Sequence, residues 1–185
     1  MSNFADFHSL RYALLPYPAT LAPMIQAVGA DIVSCADGCI AFRYRVRGDM
    51  ARVRVPEAGQ PERRDLLWEH TCFEVFVGIE GRTAYREFNF SPSGQWMAYD
   101  FGDYRRRLAD PEIATPRIAT RSTEGRLELE TIVPLSSLPS TPWEIGLSAI
   151  VEASDTVNDG LSYLALRHPS PRPDFHHRDG FAARV

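Results

Sequence analysis

The 185-residue sequence contains no lysine, so all 20 of its cationic side chains are arginines. That absence excludes a Schiff-base lysine, a phosphate-loop lysine and a serine–lysine dyad. Glycine-rich nucleotide loops, zinc-protease helices and nucleophile elbows are missing as well. The nearest approaches to a catalytic set are isolated acid–base pairs such as Glu69 with Glu74, or Asp174 with His176. The chain therefore reads as a binding protein and not as an enzyme. No stretch approaches the roughly 20 consecutive apolar residues of a membrane helix. A formal charge of −4 and a pI near 5.7 supply no basic field for nucleic acid. Neither a membrane nor a nucleic acid is expected as a partner, and the oligomeric state is left open.

Cysteine is scarce, with only Cys35, Cys39 and Cys72 present. The first ten residues include Asp6 and lack a basic start followed by an apolar run, so no secretory signal is expected. An odd cysteine count without an export signal points to a reduced, cytoplasmic protein with three free thiols. Cys35 and Cys39 stand in CxxxC spacing, which is not the CxxC of redox motifs.

What the sequence does have is apolar content: 44% hydrophobic and 11% aromatic residues, enough for a packed core and too much for a disordered chain. The length suits one domain spanning residues 1–185. Period-two alternation dominates from about residue 38. Ile40, Phe42, Tyr44 and Val46 share one strand face, with Ala41, Arg43, Arg45 and Arg47 on the other. Gly48-Asp49 reads as a turn into a second strand carrying Val53 and Val55. In residues 72–79, Phe73, Val75, Val77 and Ile79 oppose Cys72, Glu74 and Phe76. Ser91-Pro92-Ser93-Gly94 is a strong hairpin signal between residues 84–90 and 95–101. Further pairs flank Glu124-Gly125 and the turn region 155–160. Short helical pieces are expected near residues 20–28 and 104–109. Many short strands with frequent turns predict an all-β, antiparallel β-sandwich with jelly-roll or immunoglobulin-like packing of two sheets.

Three clusters carry unusual residues. In Trp68-Glu69-His70-Thr71-Cys72-Phe73-Glu74, a Trp beside carboxylates suits a sugar ring and its hydroxyls. The same residues also suit a core-capping Trp and a solvated Glu. In residues 85–96, alternation separates Phe88 and Phe90 from Tyr85, Glu87 and Asn89. Beside residues 72–79, that polar face would present Glu74, Glu87 and Asn89 together, as a wet ligand surface or an ordinary outer face. The third cluster, residues 168–177, holds His168, Asp174, His176 and His177 among prolines. Its spacing fits no zinc signature, so structural hydrogen bonding competes with metal or haem ligation. Arg105-Arg106-Arg107 beside Asp103 and Asp110 reads as a solvated face.

Residues 67–76, 87–99 and 166–176, in this order and spacing, resemble the bacterial DOMON-like family, related to family 9 carbohydrate-binding modules. The resemblance implies a β-sandwich whose site holds sugars or haem, and no catalytic activity. It implies a small sugar-type ligand, stacked on Trp68 and Trp96 and bonded by Glu74, Glu87 and Asn89. Glu69, His168, Asp174 and His176 complete the candidate site. No cofactor is required. The haem alternative would use His168 or His176, and the nearest match to a Met–His axial pair is Met97 with His168.

Overall fold

Alternation of the kind seen in residues 40–47 calls for a sheet with one dry face. The computed structural model, which describes residues 9–20, 23–35, 38–154 and 160–185, supplies it. The strands are β1 (Ser9–Pro16), β2 (Ile25–Cys35), β3 (Cys39–Gly48), β4 (Cys72–Ile79), β5 (Tyr85–Phe90) and β6 (Trp96–Asp103). They continue with β7 (Arg106–Arg107), β8 (Arg117–Thr123), β9 (Arg126–Pro134), β10 (Trp143–Glu152), β11 (Leu161–Ala165) and β12 (Ala183–Arg184). Their order is β7-β6-β5-β4-β10-β11-β1-β2-β3-β9-β8, with β12 paired to β10. β1 carries this continuous antiparallel sheet around a corner, since residues 9–14 pair with β2 while Leu15 and Pro16 pair with β11.

The two halves then close face to face. Phe42, Tyr44 and Val46 of β3 and Leu127 and Leu129 of β9 share one core with Phe73 and Val75, Phe88 and Phe90, and Ile145 and Leu147. Tyr44 stacks on Phe73 at 4.9 Å between ring centroids, and its hydroxyl donates to the Glu74 carbonyl across 2.6 Å. Each such side chain, fully withdrawn from water, contributes roughly 1.5–3 kcal/mol. The all-β antiparallel sandwich predicted from alternation is the fold observed.

Three local expectations are overturned. Only 3-10 turns occur among the described residues, and no helix is long and apolar enough to cross a membrane. Residues 25–28 open β2 instead of a helix, and residues 106–107 form β7. A register shift between Ile25 and Ala27 explains the first error: it buries Ile25 and Val28, three apart, and so imitates a helical period. The second strand after Gly48 is absent as well. Both edges of β3 are taken by β2 and β9, so Asp49 caps a 3-10 turn at Met50–Arg52 and the chain leaves the sheet. Val53 makes only an isolated bridge to Ala153. The start of the chain, residues 36–37 of the cysteine turn and residues 155–159 lie outside the described residues.

β4 is buried on both faces. Outside it, Phe76 joins Tyr85, Met97, Tyr99, Phe101 and Phe181 in a second apolar cluster. Two glycines allow the C-terminal segment to lie flat there. A Cβ at Gly146 would come within 2.9 Å of the Phe181 ring, and one at Gly78 would overlap the Arg178 guanidinium.

Candidate functional site

The outer face of β10, β4, β5 and β6 is built by register. Ser148 lies opposite Glu74, Glu74 opposite Asn89, and Asn89 opposite Met97. The next row runs Gly146, Phe76, Glu87 and Tyr99. Period two thus places Glu74, Glu87 and Asn89 on one surface. Three other segments wall it in: Trp68 from the 3-10 turn Leu67–Glu69, Arg105 and Arg107 at β7, and Pro173, Phe175 and His176 after β11. The result is an open cavity of about 380 Å³ lined by those residues with Glu74, Glu87, Tyr99, Phe101, Ile150 and Tyr163. That volume is within the range of small-molecule sites.

Its floor is polar and dry. Glu74 is 3% exposed and Glu87 4%. Glu74 Oε2 accepts from Ser148 Oγ at 3.0 Å, and Glu87 Oε1 accepts from Asn89 Nδ2 at 2.8 Å. Burial first, and then the charge of Glu87, push the Glu74 carboxyl well above the usual carboxylate range. Burial raises Glu87 to about 7, against the opposing pull of Asn89, Arg105 and Arg107. Each acid therefore holds its proton to a higher pH than a solvated carboxyl does.

His176 stands over this floor. Its Nδ1 is 2.8 Å from the Tyr85 hydroxyl, and its Nε2 is 3.7 Å from Glu87 Oε2. Tyr85 Oη accepts the Arg105 backbone N–H at 3.2 Å, leaving its own proton for His176 Nδ1. With the Tyr85 proton given to Nδ1, the ring carries its own proton on Nε2, the nitrogen nearer Glu87. Burial, followed by the Arg105 charge, pushes His176 down to about 4, so it is neutral at pH 7.

Asp174 organises the rim. It accepts from the Tyr104 hydroxyl at 2.7 Å, Arg105 Nη2 at 3.0 Å and the His176 backbone N–H at 3.2 Å. Burial alone would raise its pKa, but the bonds from Tyr104 and Arg105 outweigh that and lower it. Arg105 is held there with a left-handed φ of 52°. Arg107 lies 4.3 Å over the Tyr99 ring and pairs with Asp110 at 2.9 Å. Trp68, half-buried, meets Tyr99 edge-on at 5.9 Å.

Of the nine residues the sequence singled out, Trp68, Glu74, Glu87 and His176 line the cavity. Asn89 lies beneath it, bonded to Glu87, and Asp174 clasps its rim. The other three are elsewhere. Trp96 is 2% exposed and packs in the inner core beside Phe90 and Ala98, with the Arg63 guanidinium 4.8 Å over its ring. Its even position puts it on the face opposite Met97 and Tyr99, so it cannot stack on a ligand there. Glu69 is exposed in a separate hollow with Asp65 and His70. His168 places Nε2 2.7 Å from the Leu15 carbonyl, in a depression with Tyr17.

Sequence reasoning missed Arg105 and Arg107, read as a solvated face, and the aromatic walls Tyr99, Phe101, Tyr163 and Phe175. Tyr99 and Phe101 were within reach, because they continue the odd-numbered face of Met97. The Met97–His168 pair does not fit a haem: Met97 packs in the outer apolar cluster, while His168 is tied to the Leu15 carbonyl. Among the described residues, no group of three or more His, Cys, Asp or Glu side chains is arranged to hold a metal ion.

No protein-family model and no curated protein matches the sequence. In structure the chain is similar to a candidate carbohydrate-binding protein from Bacteroides uniformis, with a TM-score of 0.65 and 18% identity, over 94% of this chain and 84% of that one. That likeness shows a shared fold. Weaker similarity links it to a family 9 carbohydrate-binding module from Caldicellulosiruptor kristjanssonii. The form in complex with cellotriose gives a TM-score of 0.49 and 9% identity over 85% and 72% of the two chains. The form with glucose gives 0.46 and 10% over 80% and 69%.

Proposed function

We propose that this chain is a non-catalytic binding module for a carbohydrate or sugar-containing metabolite, and that the cavity over β4, β5 and β6 is its site. The observation that carries this reading is the pairing of a carboxyl floor, Glu74 and Glu87, with aromatic walls in one open cavity. A sugar presents apolar C–H faces and a girdle of hydroxyls. Trp68 and Tyr99 suit the first, while Glu74, Glu87 and Arg105 suit the second. The DOMON-like resemblance of the three sequence stretches and the fold shared with the Bacteroides uniformis protein support the same reading.

The test is fluorescence titration with a panel of mono- and disaccharides. Trp96 and Trp143 are 2% and 3% exposed, so a ligand-induced change in emission reports mainly on Trp68. Saturable change is expected, and Trp68→Ala should abolish binding while leaving the circular dichroism spectrum intact. A panel that leaves emission unchanged, or a Trp68→Ala variant that binds as tightly as the parent by calorimetry, would overturn the assignment.

A further inference from the structure

Two carboxyl groups sit under the cavity, hydrogen-bonded among the described residues to neutral partners only. Glu74 has Ser148 and Glu87 has Asn89. The charged and titratable groups around the pair come from every neighbouring element. They are Tyr44 of β3, Cys72 of β4, Tyr85 of β5, Tyr99 of β6, Arg105, Arg107, Asp65, Asp174 and His176. Only Arg105 and Arg107 carry positive charge at pH 7. Arg105 is already held by Asp174 at 3.0 Å. Arg107 is held by Asp110 at 2.9 Å and Asp65 at 3.6 Å. His176 contributes a neutral ring. The cationic side chains of the rim are thus matched by aspartates, and the floor keeps two acids without a counter-ion.

We infer that the ligand supplies the missing charge: it is an amino sugar whose ammonium is received by Glu74 and Glu87. The inference rests on the carbohydrate reading above and names the ligand class within it. The hydroxyls of a neutral sugar can donate a hydrogen bond to each acid but bring no charge, so the ionisation of a buried carboxyl stays uncompensated. An ammonium carries three donors and a full charge, so it can hydrogen-bond both acids and balance one ionised carboxylate while the other keeps its proton. The walls fit it too, because Trp68 and Phe175 line the cavity and an aromatic ring attracts a cation as well as packing against the apolar side of a sugar ring.

The experiment compares D-glucosamine, D-glucose, N-acetyl-D-glucosamine and D-glucuronate by isothermal titration at about pH 7.5, where a carboxyl with a pKa near 7 is mostly ionised. D-glucosamine should bind at least about tenfold more tightly than each of the others. Glu87→Gln and Glu74→Gln, each checked by thermal melting, should reduce that preference towards parity. Binding of D-glucose or D-glucuronate as tight as that of D-glucosamine would overturn the amine assignment and leave the carbohydrate reading standing. A preference that survives in both Gln variants would also overturn it. Binding of no saccharide in this set or the wider panel would refute both.

Discussion

Replacing Glu87 by Gln should make the protein more stable at alkaline pH and nearly unchanged at acid pH. Burial raises the folded-state pKa of Glu87 from 4.5 to about 7. Below 4.5 the carboxyl is protonated in both the folded and unfolded states and carries no penalty. As pH rises from 4.5 to 7, the unfolded chain loses its proton first, so it binds fewer protons than the folded protein and stability declines. The accumulated penalty is roughly 3 kcal/mol at and above pH 7, from about 1.4 kcal/mol per pKa unit. Glutamine keeps an oxygen to accept from Asn89 and never ionises.

A neighbouring group acts with the opposite sign. His176 falls from 6.5 to about 4 on folding, so its stabilising contribution is present above 6.5 and is lost as pH falls towards 4. The two effects partly cancel in the parent protein, which would hide either in a single profile. The difference between variant and parent removes the His176 background and reports Glu87 together with its coupling to Glu74. Urea denaturation of both proteins at intervals from about pH 4.5 to 8 should show that difference growing by roughly 3 kcal/mol. Parallel profiles would refute the reasoning, because they would mean that Glu87 ionises in the folded protein as freely as in the unfolded chain.

Other outcomes follow from packing. Gly146→Val should destabilise the fold by about 1–3 kcal/mol in chemical denaturation, since the new side chain meets the Phe181 ring and the Phe76 Cβ on the outer face. Trp96→Phe should lower stability while leaving saccharide affinity within about twofold, the reverse of Trp68→Ala; the urea midpoint and calorimetry on one sample check both. Cys72 is fully buried and its thiol is pushed well above the ordinary range by burial and then by Glu74 and Glu87, so it should resist Ellman's reagent until the protein unfolds.

The sequence made much of the sandwich legible because alternation is a local signal. The inner faces of β3 and β5 and the hairpin at Ser91–Gly94 follow from it directly, with Gly94 at a φ of 91° as the turn requires. The grouping of Glu74, Glu87 and Asn89 followed from the same parity. Failures arose where local signals were altered or irrelevant. The bulge in β2 disguised a strand as a helix, and β3 had no free edge for the second strand expected after Gly48. Trp96 was chosen for its chemistry against its own parity. Arg105 and Arg107 were taken for a solvated face because what draws them to the cavity is long-range: Asp174 lies about 70 residues away from Arg105 in sequence. His168 shared a loop with His176 but not a destination, since its ring is drawn to the Leu15 carbonyl of a strand about 150 residues earlier in sequence.

The most direct measurement is a crystal structure of the chain soaked with whichever saccharide binds most tightly in titration. The account predicts a ring lying against Trp68, with a polar group of the sugar within hydrogen-bonding distance of both Glu74 and Glu87. A sugar seated instead in the hollow beside Glu69, or against Tyr17 and His168, with the Glu74–Glu87 cavity left to water, would contradict it.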